Sequence, residues 1–257
     1  MHEVNAGIIS AREFLILDPQ SIYQRIKGVA LVWICSTPSL QLESLKKLQS
    51  FNELKIVIEK PISKDKIVNQ ELFKVLSNQS NVFISRPWNF SQIWLQLKKY
   101  LSLEQEISGI NIRHSGEILR EYINPPQDWL HHDLCLLKEI KPSIELSDLE
   151  IRKSWSNENT RLLMKSSNGN NIEIAGGYSP DRISIFELFL ENGMTLRMDM
   201  NHRTLAVQLI NGIIENHEYK DDLPINSMLE YLMNTELKSS NQKEELEILK
   251  TLQALSI

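Results

Sequence analysis

The chain has 257 residues, 42% of them apolar and 24% charged, and its formal net charge is -5. These values are close to those of soluble globular proteins, so they exclude a disordered or fibrous class and allow one large domain or two ordinary ones. No Lys and Arg stripe gathers on a predicted face, no apolar stretch reaches the ~18 residues that span a bilayer, and no signal peptide is recognisable, so we expect a cytoplasmic protein that binds neither nucleic acid nor membrane.

Two continuous apolar runs near the N-terminus predict strands that are buried on both faces. They are GVALVWICSTP (28–38) and LKIVIEKP (54–61), and the leucines between them have helical spacing. The order strand, helix, strand predicts a right-handed crossover and therefore a parallel sheet. A second helix, DKIVNQELFKVLSN, leads to a third short strand in NVFISRP (81–87).

The pattern changes after residue 86, where a helix is followed by stretches with two-residue alternation. These stretches are ISGINIRHS, LEIRKSWS, TRLLMKSS, NIEIAGGYS and the pair ISIFELFL and MTLRMDM. Asn192-Gly193 tolerates positive φ and predicts a hairpin between that pair. The last forty residues predict two helices separated by a polar KSSNQ turn. The predicted fold class is α/β, with a parallel sheet in residues 1–86 and an α+β domain with a largely antiparallel sheet in residues 87–257.

Candidate site residues follow two of the predicted parallel strands. Thr37-Pro38 ends the first strand and Glu59-Lys60-Pro61 ends the second. Ligands bind beyond the carboxyl ends of such strands, and a proline at 61 would fix the turn that aims Lys60 into the crevice. The alternative is a surface lysine that extends from a strand end into water.

A second candidate lies on the predicted helix PPQDWLHHDLCLLKEI (125–140). Asp128 and His132 are four residues apart, so the helix places the carboxylate and the imidazole on one face. Histidine carries protons near neutral pH, and a neighbouring acid can orient it. His131 points about a third of a turn away and is a weaker candidate. The alternative is a structural pair in which Asp128 stabilises the helix N-terminus.

Together these segments resemble the Gfo/Idh/MocA family of sugar and cyclitol oxidoreductases, from about residue 20 to the C-terminus. The resemblance is carried by WICSTPS, IVIEKPI, SRPWNF and the D-x-x-x-H pattern, followed by an antiparallel sheet. It implies a Rossmann-like nucleotide-binding domain and a substrate and oligomerisation domain, with hydride transfer between NAD or NADP and a sugar or polyol hydroxyl. It also implies a homo-oligomer formed through the exposed face of the second sheet, on which Ile185, Glu187 and Phe189 alternate.

The same resemblance implies roles for seven residues. The catalytic residues would be Lys60, Asp128 and His132. The residues bordering the dinucleotide would be Thr37, Pro38, Glu59 and Pro61.

Two departures from the family pattern modify this expectation. Gln41 stands where the family's T-P-x-x-H turn has a histidine, and the nine glycines include no G-x-G pair for a pyrophosphate loop. We therefore expect a truncated Rossmann-like unit that lacks the Gly-rich loop. REFLILDP could be a strand ending on Asp18 as a ribose-binding acid, but a helix capped by Asp18 explains it at least as well.

Two other functions remain open from the sequence. One is a degenerate relative that serves as a sugar-binding or assembly subunit, and the other is a fragment of a longer dehydrogenase. The two cysteines, Cys35 and Cys135, lie in apolar contexts, which predicts two buried thiols and neither a disulfide nor a metal site.

Overall fold

A computed structural model describes most of the chain: residues 10–60, 63, 65–101, 106–116, 125–142, 144–155, 159–166, 169–219, 223–234 and 239–255. The helices are α1 (Ala11–Ile16), α2 (Pro19–Ile26), α3 (Pro38–Leu48), α4 (Lys66–Asn78), α5 (Gln92–Leu101), α6 (Pro125–Ile140), α7 (Pro224–Asn234) and α8 (Ser239–Leu255). The strands are β1 (Leu31–Ile34), β2 (Lys55–Ile58), β3 (Val82–Ile84), β4 (Ile107–Gly116), β5 (Glu150–Trp155), β6 (Asn159–Lys165), β7 (Asn171–Tyr178), β8 (Ile183–Leu190), β9 (Thr195–Asp199), β10 (Thr204–Gln208) and β11 (Ile214–Glu218).

The chain forms two compact units. The first comprises Met1–Ser85 and Glu230–Leu249, and the second comprises Arg86–Leu229 and Lys250–Ile257. The sequence placed all of residues 87–257 in the second domain, whereas residues 230–249 group with the first unit. A long-range association of this kind leaves no mark on local residue patterns.

The first unit contains the predicted parallel sheet, with strand order β1-β2-β3. The central strand β2 is buried on both faces, since Ile56, Val57 and Ile58 are all 0% exposed. The edge strand β1 is half-buried along most of its length, so the expectation of two fully buried strands is wrong for β1. An edge strand has a neighbour on only one side, which leaves its side chains partly open.

The segment before β1 forms helices. Ser10 begins α1 with a capping box that includes Glu13, and Asp18 accepts hydrogen bonds from the backbone amides of Gln20 and Ser21 at the start of α2. The strand interpretation of REFLILDP is therefore wrong, and the helix capped by Asp18 is the observed structure. The hydrogen bond from the Ser21 hydroxyl lowers the pKa of the Asp18 carboxyl. This carboxyl therefore serves as the N-cap of α2.

The second unit contains an eight-stranded sheet with the order β11-β10-β9-β8-β4-β7-β6-β5. Its neighbouring strands run antiparallel except for the parallel pair β4 and β7, as the alternating pattern predicted. The hairpin at Asn192-Gly193 is present: Gly193 has φ +85° and the side chain of Asn192 accepts a hydrogen bond from the amide of Met194. The short strands β10 and β11 were not predicted.

Helix α6 contacts the inner face of this sheet through β4, β6 and β7. Leu134 and Leu137 on the helix, and Ile174 on β7, are 0% exposed. On the same face Trp94 and Phe186 form an edge-to-face ring contact at 5.5 Å. Burial of each such side chain stabilises the fold by about 1.5 to 3 kcal/mol, so this layer anchors α6 firmly.

The outer face of the sheet carries charge. Glu187 accepts hydrogen bonds from Arg197 at 3.0 Å and from Asn111 at 2.9 Å, and Arg113 lies 3.6 Å away. Phe189 on the same strand is 41% exposed. Association of two chains through this face stays a prediction.

The C-terminal helices correct one boundary. The predicted KSSNQ turn covers residues 238–242, but α8 begins at Ser239. Ser and Asn favour helix N-termini as much as turns, so this polar cluster marks the start of a helix. Among the described residues, no helix is both long and apolar enough to cross a membrane.

Candidate active site

The carboxyl edge of the parallel sheet gathers the candidates of the first unit. The register pairs Ile34 with Ile58 and Ile58 with Ile84, so the three strands end side by side. Thr37 follows β1 as the N-cap of α3 but makes no side-chain capping hydrogen bond, and Pro38 is buried at the first helical position. A strand that ends on a helix N-terminus is the arrangement that exposes backbone amides to a ligand.

Glu59 and Lys60 follow β2 at the same edge, and both are half-buried. The Glu59 carboxylate accepts a hydrogen bond of 3.1 Å from the indole Nε1 of Trp33, which holds the acid against β1. Pro61 lies outside the described residues. The sequence therefore predicted correctly that these residues sit at strand ends, while their roles stay predictions.

Cys35 is exposed at this edge, so the prediction of two buried thiols is wrong for Cys35 and confirmed for Cys135. The difference arises because Cys35 follows an edge strand, whereas Cys135 lies on the packed face of α6. Partial desolvation and, second, the negative charge of Glu59 raise the pKa of the Cys35 thiol. The reactivity of the Cys35 thiol should therefore depend on the charge of the Glu59 carboxylate.

Gln41 fills the position where the family pattern has a histidine. It is 1% exposed, and its Nε2 donates a hydrogen bond of 2.7 Å to the carbonyl of Ser36. Its Oε1 and the Ser36 hydroxyl are buried with no hydrogen-bond partner among the described residues. A buried polar atom left unpaired costs about 1 to 3 kcal/mol, so a hydrogen-bond partner for either atom would stabilise the fold.

These groups limit which parts of the expected dinucleotide the edge could bind. Hydroxyl and amide groups suit ribose hydroxyls and a carboxamide, which form ordinary hydrogen bonds. The sequence has no glycine between Gly28 and Gly109, so this edge has no bare glycine backbone to cradle a pyrophosphate.

The second unit holds the other candidates on α6. Asp128 and His132 lie one turn apart on the same helix, and the side chain of Asp128 is outside the part that is described. The His132 ring is half-buried and meets the ring of His131 edge-on at 5.7 Å. His131 is 0% exposed and belongs to the core, whereas His132 is only half-buried.

A buried polar network next to His132 escaped the sequence analysis. Asp133 accepts a hydrogen bond of 2.7 Å from Nδ1 of His114 on β4, and Nε2 of His114 contacts the hydroxyl of Ser184 on β8. Asp133 is 0% exposed, His114 8% and Ser184 4%. The second carboxylate oxygen of Asp133 has no hydrogen-bond partner among the described residues, so the carboxylate depends on His114.

This network positions the helix. Because Asp133 directly follows His132, its bond to β4 fixes the rotation of α6 about its axis, and this rotation sets where His132 points. A sequence signal did exist: Ile110, Ile112 and His114 have the same parity on an alternating strand, so His114 had to face the core. A polar residue on a core face requires a buried partner.

The fold has solved counterparts. A UDP-N-acetylglucosamine 3-dehydrogenase from Acidithiobacillus ferrooxidans superposes with a TM-score of 0.73 at 14% identity, over 91% of this chain and 79% of that chain. A 3-ketoreductase from Actinomadura kijaniata, in complex with TDP-benzene and NADP, gives a TM-score of 0.71 at 12% identity, over 89% and 77%. A Gfo/Idh/MocA family oxidoreductase from Vibrio cholerae gives 0.70 at 10%, over 93% and 80%.

These similarities define the class of fold. The chain has the fold of Gfo/Idh/MocA-type oxidoreductases, in which a small parallel sheet precedes a larger, mostly antiparallel sheet. No model of a protein family matches the sequence, and no curated protein matches it either.

Proposed function

We propose that the protein is an oxidoreductase that transfers a hydride between NAD or NADP and a hydroxyl-bearing carbon of a sugar or polyol. The observation that carries this proposal is His132, a half-buried imidazole on a helix held by the Asp133 and His114 pair, within the fold of such oxidoreductases. A site that moves a proton needs a titratable group fixed within reach of its substrate.

His132 would take the proton of the substrate hydroxyl as the carbonyl forms, and return it in the reverse reaction. Asp128, one helical turn earlier, would orient the imidazole and stabilise its cationic form. The Lys60 ammonium would polarise the substrate oxygen as negative charge develops on it. When bound, the nicotinamide ring supplies the hydride acceptor or donor that these side chains cannot provide.

The carboxyl edge of the parallel sheet would hold the dinucleotide. Thr37, Pro38, Glu59 and Pro61 would border it, and the unpaired Gln41 oxygen would gain a partner on binding. The absence of glycine at this edge predicts weak affinity for the pyrophosphate, since side chains on the backbone keep it from approaching the amides closely.

That weakness favours a second candidate function, a sugar-binding or assembly subunit that performs no redox chemistry. Such a protein would keep the sheet and the α6 site and would bind its sugar in the absence of cofactor. Cofactor binding therefore separates the two functions.

The first test is titration of the full chain with NADH and NADPH by fluorescence and calorimetry. We expect binding that Lys60→Ala weakens, while Lys46→Ala, a lysine paired with Glu71 on the surface, leaves it unchanged. Bound dinucleotide should also protect Cys35 from alkylation. Absence of both binding and protection at millimolar cofactor would support the non-redox subunit.

The second test is turnover with a panel of sugars and cyclitols. We expect His132→Gln to lower kcat by about 100-fold or more, as for loss of an acid/base group, with the melting temperature and cofactor affinity retained. A variant that fails to fold would show instead that His132 is structural, and unchanged turnover would remove it from the reaction.

A further inference from the structure

A pocket of about 430 Å³ lies within the second unit, between the turn that precedes α5 and the ends of three strands. Its walls include Trp88, Arg182, Met200, His202, Arg203 and Tyr219. This volume is within the range of small-molecule sites. None of the roles proposed above uses this pocket.

The described walls of the pocket carry positive charge. Arg182, Arg203 and His202 line it, and no Asp or Glu is among the described residues that do. The hydrogen bond and the charge of Asp199 raise the pKa of His202, which favours its cationic form. His202 is paired with the Asp199 carboxylate, so the positive charge of the pocket comes from its two arginines, which on a chain of net charge -5 form a local site for an anion.

The loop that carries these cations is held rigidly. Asp199 Oδ1 accepts hydrogen bonds from the amides of Asn201 at 2.9 Å and of His202 at 3.1 Å. Asn201 Nδ2 donates a hydrogen bond of 2.7 Å to the carbonyl of Arg182, which ties the start of β8 to the same turn. The two arginines thus lie on segments that are fixed to each other, so a ligand would meet a preformed site.

Arg203 has an unusual backbone. Its φ is +56°, and no other non-glycine residue in the described part of the chain has positive φ. Such a conformation is unfavourable for an arginine, and strain of this kind collects at binding sites. The amide of Tyr219 donates a hydrogen bond of 3.0 Å to the Arg203 carbonyl and helps to hold it there.

One pocket wall connects to the helix that carries His132. The Met200 sulfur lies 3.3 Å from the Ser184 hydroxyl, which contacts His114, which bonds to Asp133. The half-buried Trp88 also lines the pocket, and an indole ring is a flat apolar surface of the kind that a sugar or a base packs against.

We propose that this pocket binds the phosphate group of a phosphorylated or nucleotide-linked sugar, with Arg182 and Arg203 as the phosphate ligands and the Trp88 ring against the sugar or base. Arginine suits this role because its planar fork donates two parallel hydrogen bonds to phosphate oxygens. The inference rests on the proposed function, which supplies the sugar as substrate. It adds a phosphate group on that sugar as the feature that the protein recognises.

The test is a calorimetric titration of the full chain, without cofactor, at neutral pH and low ionic strength. The probes are glucose 1-phosphate, UDP and, as the uncharged control, glucose. We expect at least one phosphate-bearing probe to bind and glucose to bind far more weakly. Binding of UDP alone assigns a nucleotide-linked sugar, and binding of glucose 1-phosphate assigns a simple sugar phosphate.

Two variants test the residues. Arg182→Gln and Arg203→Gly should each weaken phosphate binding by about tenfold or more. Arg203→Gly should do so without lowering the melting temperature, because glycine adopts positive φ freely. Arg152→Gln is the matched control, since the Arg152 side chain is 80% exposed on another strand and pairs with Glu150.

The proposal is overturned if no phosphate probe binds at about 10 mM, a concentration that would detect even millimolar affinity. It is equally overturned if Arg152→Gln weakens binding as much as the pocket variants do. The titration contains no cofactor, so its result does not depend on the redox function. If the chain binds a phosphate probe but no NADH, the pocket proposal stands and the redox function is rejected.

Discussion

Two clusters of buried polar side chains, one in each unit, differ in how fully they are hydrogen-bonded. Behind α6 in the second unit, His114 bonds to Asp133 on one side and Ser184 on the other, so each side chain of this cluster has a protein partner, although Oδ2 of Asp133 has none among the described residues. Where β1 meets α3 in the first unit, the Ser36 hydroxyl and Gln41 Oε1 are buried with no hydrogen-bond partner in the described part of the chain.

This difference indicates what each region is built for. A paired network contributes to stability and positions its neighbours, whereas unpaired buried groups lower stability unless a ligand or water satisfies them. The α6 network therefore holds the helix of His132 in place, and the junction of β1 and α3 is where a ligand or water would satisfy the unpaired groups. Changes in these two places should act on different quantities.

The largest effect should follow from His114→Leu. The change leaves the Asp133 carboxylate, which is 0% exposed, without its hydrogen-bond partner. We expect the free energy of unfolding to fall by about 3 kcal/mol, as for other buried pairs that lose one member. Urea unfolding followed by circular dichroism measures this loss.

The double variant His114→Leu, Asp133→Leu is the control for that change. It replaces a polar pair with an apolar pair, so we expect most of the lost stability to return. If the double variant instead lost the sum of the two single-variant losses in free energy of unfolding, the residues would not be coupled. The contrast between the two clusters would then lose its basis.

Much of the fold was predictable because it depends on local patterns. Solid apolar runs gave the parallel strands, alternation gave most of the larger sheet, and Asn192-Gly193 gave the hairpin. The strand β11 was missed because its sequence, IENHE, is exposed along most of its length and has no apolar face. The strand β10 does alternate, with Leu205 and Val207 buried, so its signal was present in the sequence and was overlooked. Propensity is weak where burial does not enforce a pattern.

The positions of Lys60 at a strand end and of His132 on a helix were predictable from local patterns, while their roles stay predictions. The contacts among Asp133, His114 and Ser184 were not predictable, because they join three distant segments. Pairing across 19 and 70 residues depends on the tertiary register. The exposure of Cys35 depended on β1 being an edge strand, which the sequence does not specify.

Gln41→Met should have a much smaller effect on stability. The side chain is 1% exposed, yet the change removes an unpaired oxygen along with the hydrogen bond to Ser36. We expect the free energy of unfolding to change by less than about 1 kcal/mol, because the loss of one bond is offset by the loss of a desolvated acceptor. Affinity for NADH should decrease at the same time.

Leu45→Ala on the same helix is the matched control for a buried apolar side chain, since Leu45 is 0% exposed. It should cost about 3 kcal/mol and leave a chain whose cofactor affinity is unchanged once folded. If Gln41→Met lowered the free energy of unfolding by a similar amount, Gln41 would be a structural residue, and its unpaired oxygen would not indicate a ligand site.

The smallest effect concerns the Cys35 thiol at the same edge. Its pKa is raised, first by partial desolvation and second by the Glu59 carboxylate, so at a given pH below that pKa it carries less thiolate than an ordinary cysteine. We expect alkylation by iodoacetamide to be slow at neutral pH and to accelerate as the pH rises through the raised pKa.

Glu59→Gln removes the negative charge, which should lower the pKa of the Cys35 thiol and speed the reaction. Cys135 is buried and should stay unmodified in the native chain, so the rate reports on Cys35. A rate that is insensitive to Glu59→Gln would separate the carboxylate from the thiol and weaken the assignment of this edge as one site.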